Sequence, residues 1–218
     1  MVTISHIVKK LVEDSPYIHE CLGKGLLNYV YTAEFFKPKI EHELGKKVKT
    51  SAIVMALRRY GEDLKRKYDS KFPFDYRSEV ALKGGIVDIA IQRSPTLFAK
   101  LRSLYNSTDY ERGDVLNIIH GNHEISLVTN EKNKEKVLKI LEHEKILHIE
   151  LRLAQLSLRF PRDYIYTPGV ILWMVRALNW YNVNIFEIVS TLTEVSFIIS
   201  EKDSSKGYRA LQELVSRG

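Results

Sequence analysis

The sequence predicts an α+β protein with a helical segment over residues 1–75, followed by two copies of one strand-and-helix unit over residues 76–151 and 152–218. Two observations carry this prediction. Apolar residues recur at helical spacing through the first segment, and the rest of the chain matches itself at an offset of 70 residues. With 218 residues, of which 44% are hydrophobic, the chain is long enough to bury the cores of two or three small domains.

The N-terminal segment is predicted to form four helices, over residues 4–14, 15–25, 31–45 and 50–69. Gly45 is expected to end the third helix, as glycine often does. The fourth helix carries an apolar stripe that predicts its buried side: Ile53, Ala56, Leu57, Tyr60 and Leu64. Cys21 is the single cysteine, so an intramolecular disulfide is excluded, and we expect Cys21 to be a small core residue.

Positive charge is concentrated over residues 46–71, which hold nine Lys or Arg against three Asp or Glu. Two helices joined by a short basic turn fit a helix-turn-helix, and a basic surface is typical of a nucleic-acid-binding domain. The candidate DNA contacts are Lys46, Lys47, Lys49, Arg58 and Arg59. The alternative is a helical packing domain, in which the two arginines form i,i+4 ion pairs with Glu62 and Asp63. The sequence is compatible with both interpretations.

The internal repeat is clearest where residues 124–141 are set over residues 194–211. The first copy is predicted to form a strand, a helix, two strands around a Gly-Asn turn, a second helix and a closing strand over 145–151. The second copy has the same order without a closing strand. Because residues 78–84 alternate in polarity, we infer that this segment completes the second sheet. Each copy is then a split βαβ arrangement, with both helices on one face of an antiparallel sheet.

A family resemblance is carried by residues 167–215, which resemble an ACT domain and most closely the second ACT repeat of the aspartokinase regulatory region. It rests on the Thr-Pro-Gly-Val turn, on Arg-Ala-Leu in the next helix, on an Asn-Ile strand and on Glu-Lys-Asp before the last helix. The resemblance implies two ferredoxin-like βαββαβ modules that interleave, which agrees with the placement of residues 78–84. The large kinase domain has no counterpart in residues 1–75, which are predicted to be helical.

The turn at residues 167–170 is the candidate ligand site. We expect Thr167 to cap the following helix, Pro168 to take its first position and Gly169 to leave the next amides approachable. Free amides at the positive end of a helix favour an anion, such as the α-carboxylate of an amino acid. The resemblance implies the same use, since ACT domains bind amino-acid effectors at this loop and the adjoining strand. It names as ligand-binding candidates Thr167, Pro168, Gly169, Val170, Asn184, Ile185 and Glu187.

An alternative for this turn is that its Pro-Gly pair only begins a helix, because many ACT modules pack together without a ligand. In the first copy Thr96 stands where the glycine would be, which puts the corresponding site in doubt. The helix after residue 169 has an apolar surface wider than one sheet needs, and Trp173 and Trp180 extend it sideways. This surplus predicts an interface, and we expect a homodimer.

Other kinds of site are not predicted. The sequence contains no Gly-rich phosphate loop with a lysine, no nucleophile elbow and no zinc-spaced Cys/His set, so we expect neither catalysis nor a cofactor. His120 and His123 flank a turn but lack a third ligand, so we expect no metal. No apolar run approaches the roughly 20 residues of a membrane span, so a cytoplasmic location is expected.

These observations together predict a non-catalytic regulatory protein that binds a small effector, an amino acid, through its paired modules. Its N-terminal domain is a candidate for coupling effector binding to DNA binding. The alternative is an interaction subunit that docks onto an enzyme of amino-acid metabolism and does not bind DNA.

Overall fold

The computed structural model describes residues 3–68, 74 and 77–216, and it divides the chain into two compact units, Met1–Lys71 and Phe72–Gly218. The first unit is all-α and the second is α+β, so the fold class predicted from the sequence is confirmed. In the described part of the chain, no helix is long and apolar enough to cross a lipid bilayer.

The described residues of the helical unit form α1 (Ile4–Glu13), α2 (Pro16–Gly23), α3 (Tyr29–Leu44) and α4 (Thr50–Tyr68). Thr3 and Asn28 cap α1 and α3, because their side-chain oxygens accept hydrogen bonds from amides of the first turn. Gly45, with φ of 64°, ends α3 in the left-handed conformation. Helix α4 packs against the other three helices. The predicted stripe on α4 lies in the core of this unit, where Ile53, Ala56, Leu57 and Leu64 are buried and Tyr60 is partly buried.

Cys21 is exposed, so the expectation that it lies in a core is wrong. The inward position on α2 belongs to the next residue, Leu22, which is buried. Helix α4 makes room for it at Gly61, where an added Cβ would lie 3.0 Å from Leu22 Cδ1. Since consecutive residues of a helix point about 100° apart, Cys21 is turned away from α4.

The α+β unit begins with β1 (Glu79–Gln92), α5 (Pro95–Ser107), β2 (Leu116–His120), β3 (Glu124–Asn130) and α6 (Lys134–Ile140). It continues with β4 (Ile146–Arg159), α7 (Val170–Trp180), β5 (Ile185–Ser190), β6 (Glu194–Ser200) and α8 (Ser204–Val215). Short 3-10 turns precede α6 and α8 at equivalent points, Glu131–Asn133 and Glu201–Asp203. The two copies of the repeat therefore have the same order of elements.

All six strands form one antiparallel sheet, in the order β2-β3-β1-β4-β6-β5. Strands β1 and β4 have 14 residues each, and each contributes one half to each module. Residues 86–91 of β1 pair with 146–153 of β4 in the first module. Residues 79–83 of β1 pair with 155–159 of β4 in the second module, so the start of β1 supplies its closing strand.

The helices of both modules cover the same face of this sheet. Ile86 pairs with Leu153, and both belong to a small cluster on the face away from the helices. The next residues, Val87 and Ala154, lie in the cores under the helices, as strand alternation requires. Helix α8 approaches the sheet closely at Gly207, where a Cβ would meet Ile199 Cδ1 at 2.9 Å.

The face away from the helices is concave. Ser126 on β3 donates a hydrogen bond to Asp88 on β1, and Glu187 on β5 lies close enough to Ser126 and Asp88 for both to affect its pKa. Strands β3 and β5 are separated by three other strands, and in a flat sheet of about 4.8 Å spacing they would lie about 19 Å apart. The two halves of the sheet must therefore curl toward each other, with the helices on the outside.

Candidate functional site

Helix α7 begins without a side-chain cap. Its N-cap residue is Gly169, in the left-handed conformation with φ of 88°, and its first hydrogen bond joins the amide of Trp173 to the carbonyl of Gly169 at 3.0 Å. The expectations that Thr167 caps this helix and that Pro168 takes its first position are therefore wrong. A 3-10 turn over Arg162–Tyr166 comes first, and the amide of Thr167 donates to the carbonyl of Tyr164 at 3.0 Å to close it.

The start of α7 opens into a cavity of about 240 Å³. Its wall is formed by the loop after β4, by the first turn of α7 and by the turn between β5 and β6. The lining residues include Thr167, Gly169, Val170, Ser190, Thr191 and Leu192. Because the first three amides of a helix have no partner within the helix, this cavity presents N–H donors together with the positive end of the helix dipole.

An aromatic wall bounds the same cavity. Phe160 and Tyr164 line it and stack on each other, with ring centroids 6.1 Å apart. The guanidinium carbon of Arg77 lies 5.9 Å from the centroid of the Tyr164 ring. Arg77 therefore places a cation beside the aromatic wall of the cavity.

Three of the predicted ligand residues lie away from this cavity. Asn184 is exposed just before β5, Ile185 packs against the core under α7 and α8, and Glu187 lies on the concave face. Burial raises the pKa of Glu187, and the negative charge of Asp88 adds to that rise. The structure therefore brings Thr167, Gly169 and Val170 together and places Glu187 with a different set of polar groups.

The residues that sequence reasoning missed are Ser190, Thr191 and Leu192, at the far end of β5. Strands β4 and β5 are both antiparallel to β6, so they run parallel to each other. Their carboxyl ends, and hence the loops that follow them, meet at one edge of the sheet. The split βαβ order already implied this juxtaposition, whereas the start of β5 lies at the opposite edge.

The two tryptophans of α7 differ in exposure. Trp180 is 87% exposed. Trp173 is partly buried against the core, and the guanidinium carbon of Arg176 lies 5.6 Å from its ring centroid. Trp180 is thus the more accessible of the two interface candidates.

The basic candidates of the helical unit are exposed: Lys46, Lys47, Lys49, Arg58 and Arg59. Among the described residues, no ion pair joins the two arginines to Glu62 or Asp63, so the predicted i,i+4 pairs are absent. The guanidinium carbon of Arg58 lies 5.6 Å from the centroid of the Tyr29 ring instead. The connection of α3 to α4 is fixed by a hydrogen bond from the amide of Val48 to Glu41 Oε1 at 2.9 Å.

The histidines beside the Gly-Asn turn do not form a metal site in the structure. His120 stacks on Phe98 with ring centroids 5.8 Å apart and an interplanar angle of 5°. No group of three or more His, Cys, Asp or Glu side chains arranged to hold a metal ion occurs within residues 3–68, 74 and 77–216.

Comparisons with known proteins bear on the fold. No protein-family model matches the chain, and no curated protein matches its sequence. Among solved structures, the regulatory subunit of aspartate kinase from Thermus flavus has 21% identity and a TM-score of 0.50, covering 62% of this chain and 95% of that subunit.

Two complete kinases also share the fold. The aspartate kinase of Clostridium acetobutylicum has 21% identity and a TM-score of 0.53, covering 63% of this chain and 34% of the kinase. The aspartate kinase of Synechocystis has 18% identity and a TM-score of 0.52, covering 62% of this chain and 26% of the kinase. The chain therefore spans only about a third or a quarter of these kinases. The resemblance seen in the sequence is confirmed: the protein has the paired ACT fold of aspartokinase regulatory regions, here preceded by four helices.

Proposed function

We propose that the protein is a non-catalytic regulator that binds a free amino acid in the cavity at the start of α7. The observation that carries the proposal is the uncapped first turn of α7, open to a cavity of about 240 Å³. This volume is below the roughly 300 Å³ at which sites for drug-sized ligands begin, so it suits a small metabolite.

The chemistry of the cavity supports an amino acid. The amides of α7 and the nearby Arg77 favour the α-carboxylate, while the hydroxyl groups of Thr167, Ser190 and Thr191 are candidates to bind the ammonium group. Leu172, Leu192 and the aromatic wall leave room for an apolar side chain. The fold agrees with this use, since its solved neighbours include a regulatory subunit of aspartate kinase.

We further propose that the regulator is a homodimer and that its helical unit contacts DNA. Lys46, Lys47 and Lys49 are exposed in the short connection between α3 and α4, where they can meet phosphate groups. Arg59 is exposed two to three turns further along α4 and is the candidate for contacts to base edges.

The second candidate function is a subunit that docks onto another protein. The observation in its favour is an apolar groove of about 380 Å³ on α2 and α3. Its walls include side chains that are largely exposed: Tyr17, Leu26, Tyr31 and Phe35. A protein partner would cover this groove, whereas DNA contact has no use for it.

The test of effector binding is a thermal-shift screen of the whole chain against the proteinogenic amino acids. A ligand at about 100 times its dissociation constant adds about 2.7 kcal/mol to the free energy of unfolding. For a chain of this size, that corresponds to a rise in Tm of roughly 5 to 10 °C.

Gly169→Val is expected to abolish the rise, because its side chain would enter the open space at the start of α7 that the ligand is proposed to fill. The substitution also costs about 1–2 kcal/mol, since φ of 88° is unfavourable for a residue with a Cβ. Gly25→Val is the matched control, because Gly25 has φ of 69° and open space around its Cβ position but lies in the helical unit. Two results would contradict the proposed site. One is a rise in Tm with the amino acid that persists in Gly169→Val, and the other is that no amino acid raises the Tm of the wild type.

A further inference from the structure

In the first module, a side chain of the protein occupies the place beside the start of α5. The two carboxylate oxygens of Glu144 meet Ser94 Oγ at 2.6 Å and Lys100 Nζ at 3.0 Å. Ser94 Oγ also accepts a hydrogen bond from the amide of Leu97 at 3.0 Å, which caps α5. Only 4% of the Glu144 side chain is exposed. The carboxylate is therefore enclosed and connected through Ser94 to the first turn of the helix.

The hydrogen bonds around Ser94 can be assigned by counting protons. Glu144 Oε2 can only accept when ionised, so the single hydroxyl proton of Ser94 is donated to Glu144. Thr96 Oγ1 lies 3.0 Å from Ser94 Oγ and also close enough to Glu144 to lower the pKa of that carboxyl. The hydrogen bonds from Ser94 and Lys100 lower the pKa of Glu144. This cradle thus selects the carboxylate anion over the neutral acid.

The second module lacks these groups at the equivalent positions. In the repeat, Thr96 corresponds to Gly169, and Lys100 corresponds to Trp173. Glu144 lies two residues before β4, the strand that closes the first module. The start of β1 closes the second module, and the residue two positions before β1 is Arg77, which has the opposite charge. An internal carboxylate is therefore specific to the first module.

The first module also differs from the second at two positions that correspond to lining residues of the cavity. Phe98 corresponds to Ile171, and His120 corresponds to Ser190. The rings of Phe98 and His120 stack, and the guanidinium carbon of Arg93 lies 5.4 Å from the centroid of the Phe98 ring. Arg93 is joined to the same hairpin by its amide, which donates to the carbonyl of His123 at 3.1 Å.

We propose that Glu144 is a built-in carboxylate ligand that occupies the anion position of the first module, so that each chain binds one effector, in the second module. The statement that each chain binds one effector rests on the function proposed above. The statement that Glu144 occupies the anion position of the first module does not. Removal of the Glu144 carboxylate turns the cradle of Ser94, Thr96 and Lys100 into a site for a free monocarboxylate.

The experiment is rescue by formate in the full-length chain. Glu144→Ala is expected to lower the Tm, and sodium formate is expected to restore it saturably, whereas sodium chloride at equal ionic strength does not. At ten times its dissociation constant, formate raises the folding equilibrium constant of this variant about 11-fold.

Glu144→Gln keeps the side-chain volume and so blocks the site. Three controls should respond to formate no more than to chloride: Glu144→Gln, the wild type and Glu135→Ala. The last of these removes an exposed carboxylate from α6.

Each outcome bears on the proposal. If Glu144→Ala responds to formate only as the wild type does, Glu144 is not a replaceable ligand and the proposal is wrong. If Glu144→Ala is unfolded in plain buffer while Glu144→Gln is folded, refolding in formate supports the proposal and failure to refold overturns it. Formate is independent of the effector, so a negative amino-acid screen contradicts only the site at α7, and a negative formate result contradicts only the role of Glu144.

Discussion

At the scale of single residues, the concave face of the sheet holds carboxyl groups that are costly to ionise. Burial raises the pKa of Asp88 above its ordinary 3.8, even though the hydrogen bond from Ser126 lowers it. Burial also raises the pKa of Glu187 above its ordinary 4.5, and Asp88 and Glu124 add charge repulsion. His148, on the neighbouring strand, also lowers the pKa of Asp88, and Glu150 Oε2 lies 2.9 Å from His148 Nε2.

Glu187→Gln is therefore expected to stabilise the protein at neutral pH. The folded-state pKa of Glu187 is raised, so its contribution to stability is fully present below its ordinary value of 4.5 and is lost as the pH rises through the folded value. Glutamine retains the neutral state at every pH. Thermal melts between pH 4 and 8 should show a higher Tm for the variant at neutral pH and a difference that shrinks toward pH 4.

The control for this pH series is Glu111→Gln, at an exposed position outside the concave face. It should leave the Tm unchanged at every pH, since surface substitutions away from special features usually change stability by less than about 0.5 kcal/mol. A Tm of Glu187→Gln that lies below the wild type at neutral pH would mean that ionised Glu187 makes a favourable contact, contrary to this argument.

Single residues were predictable where residue type alone decides the backbone. Gly45 was predicted to end a helix and does so in the left-handed conformation. The cap of α7 was not predictable, because a 3-10 turn shifts the helix start from Pro168 to Val170, and such a turn has no sharp sequence signal. Glu144 was missed for another reason: its partner Ser94 is 50 residues away, and no local pattern reports a contact of that separation.

At the scale of elements, α7 and β5 carry a set of exposed apolar side chains. Strand β5 is the last strand of the sheet, so one side of its backbone has no neighbouring strand in the described structure. The exposed side chains are Ile171, Leu172, Trp180, Phe186 and Ile188. An apolar helix face beside an open strand edge is suited to pairing with a second copy around a two-fold axis.

Trp180→Glu is expected to convert the proposed dimer into a monomer. Trp180 is 87% exposed, so its replacement should change the stability of the monomer by less than about 0.5 kcal/mol while placing a charge in the interface. Trp173 is less suitable for this test, because it packs against the core and under Arg176, so a glutamate there would also disturb the fold. Light scattering at micromolar concentration measures the mass.

Tyr105→Glu provides the matched control for the dimer. Tyr105 is 52% exposed on α5, which occupies in the first module the position that α7 has in the second. This variant should keep the mass of the wild type. A monomeric mass for the wild type itself, or a dimeric mass for Trp180→Glu, would remove α7 from the interface.

The order of the elements was predictable from the repeat, but the continuity of the two long strands was not. Residues 78–84 were predicted to complete the second sheet, separately from the first strand of the first module. The structure instead continues β1 through this point with a bulge, where Gly85 has φ of 65°, and β4 has a matching irregularity at Arg152 with φ of 56°. A bulge shifts the alternation of side chains by one residue. The alternating pattern of polar and apolar residues in the sequence therefore predicts that the strand ends at a point where it continues.

At the scale of the whole molecule, charge is divided unequally. Residues 1–71 hold 14 Lys or Arg against 9 Asp or Glu, while the remaining 147 residues hold 19 against 18. The effector proposed for the α+β unit and the DNA proposed for the helical unit thus meet surfaces of different charge. If both bind one protein, thermodynamic linkage requires that the effector change the affinity for DNA by the same factor as DNA changes the affinity for the effector.

The prediction at this scale is that DNA binding weakens steeply with salt and responds to the effector. Each phosphate contact contributes about 0.9 to the slope of log affinity against log salt, so replacing Lys46, Lys47 or Lys49 with alanine should reduce the slope by about 1, whatever the DNA sequence. Arg59→Ala should instead change sequence preference, because Arg59 is the candidate for base contacts.

Lys139→Ala, on α6 of the other unit, is the control and should leave the slope unchanged. A mobility-shift titration with genomic fragments at low salt, with and without the amino acid found in the screen, measures all of these quantities. No retention in either condition would contradict a DNA role, and the apolar groove on α2 and α3 would then favour the docking function for the helical unit.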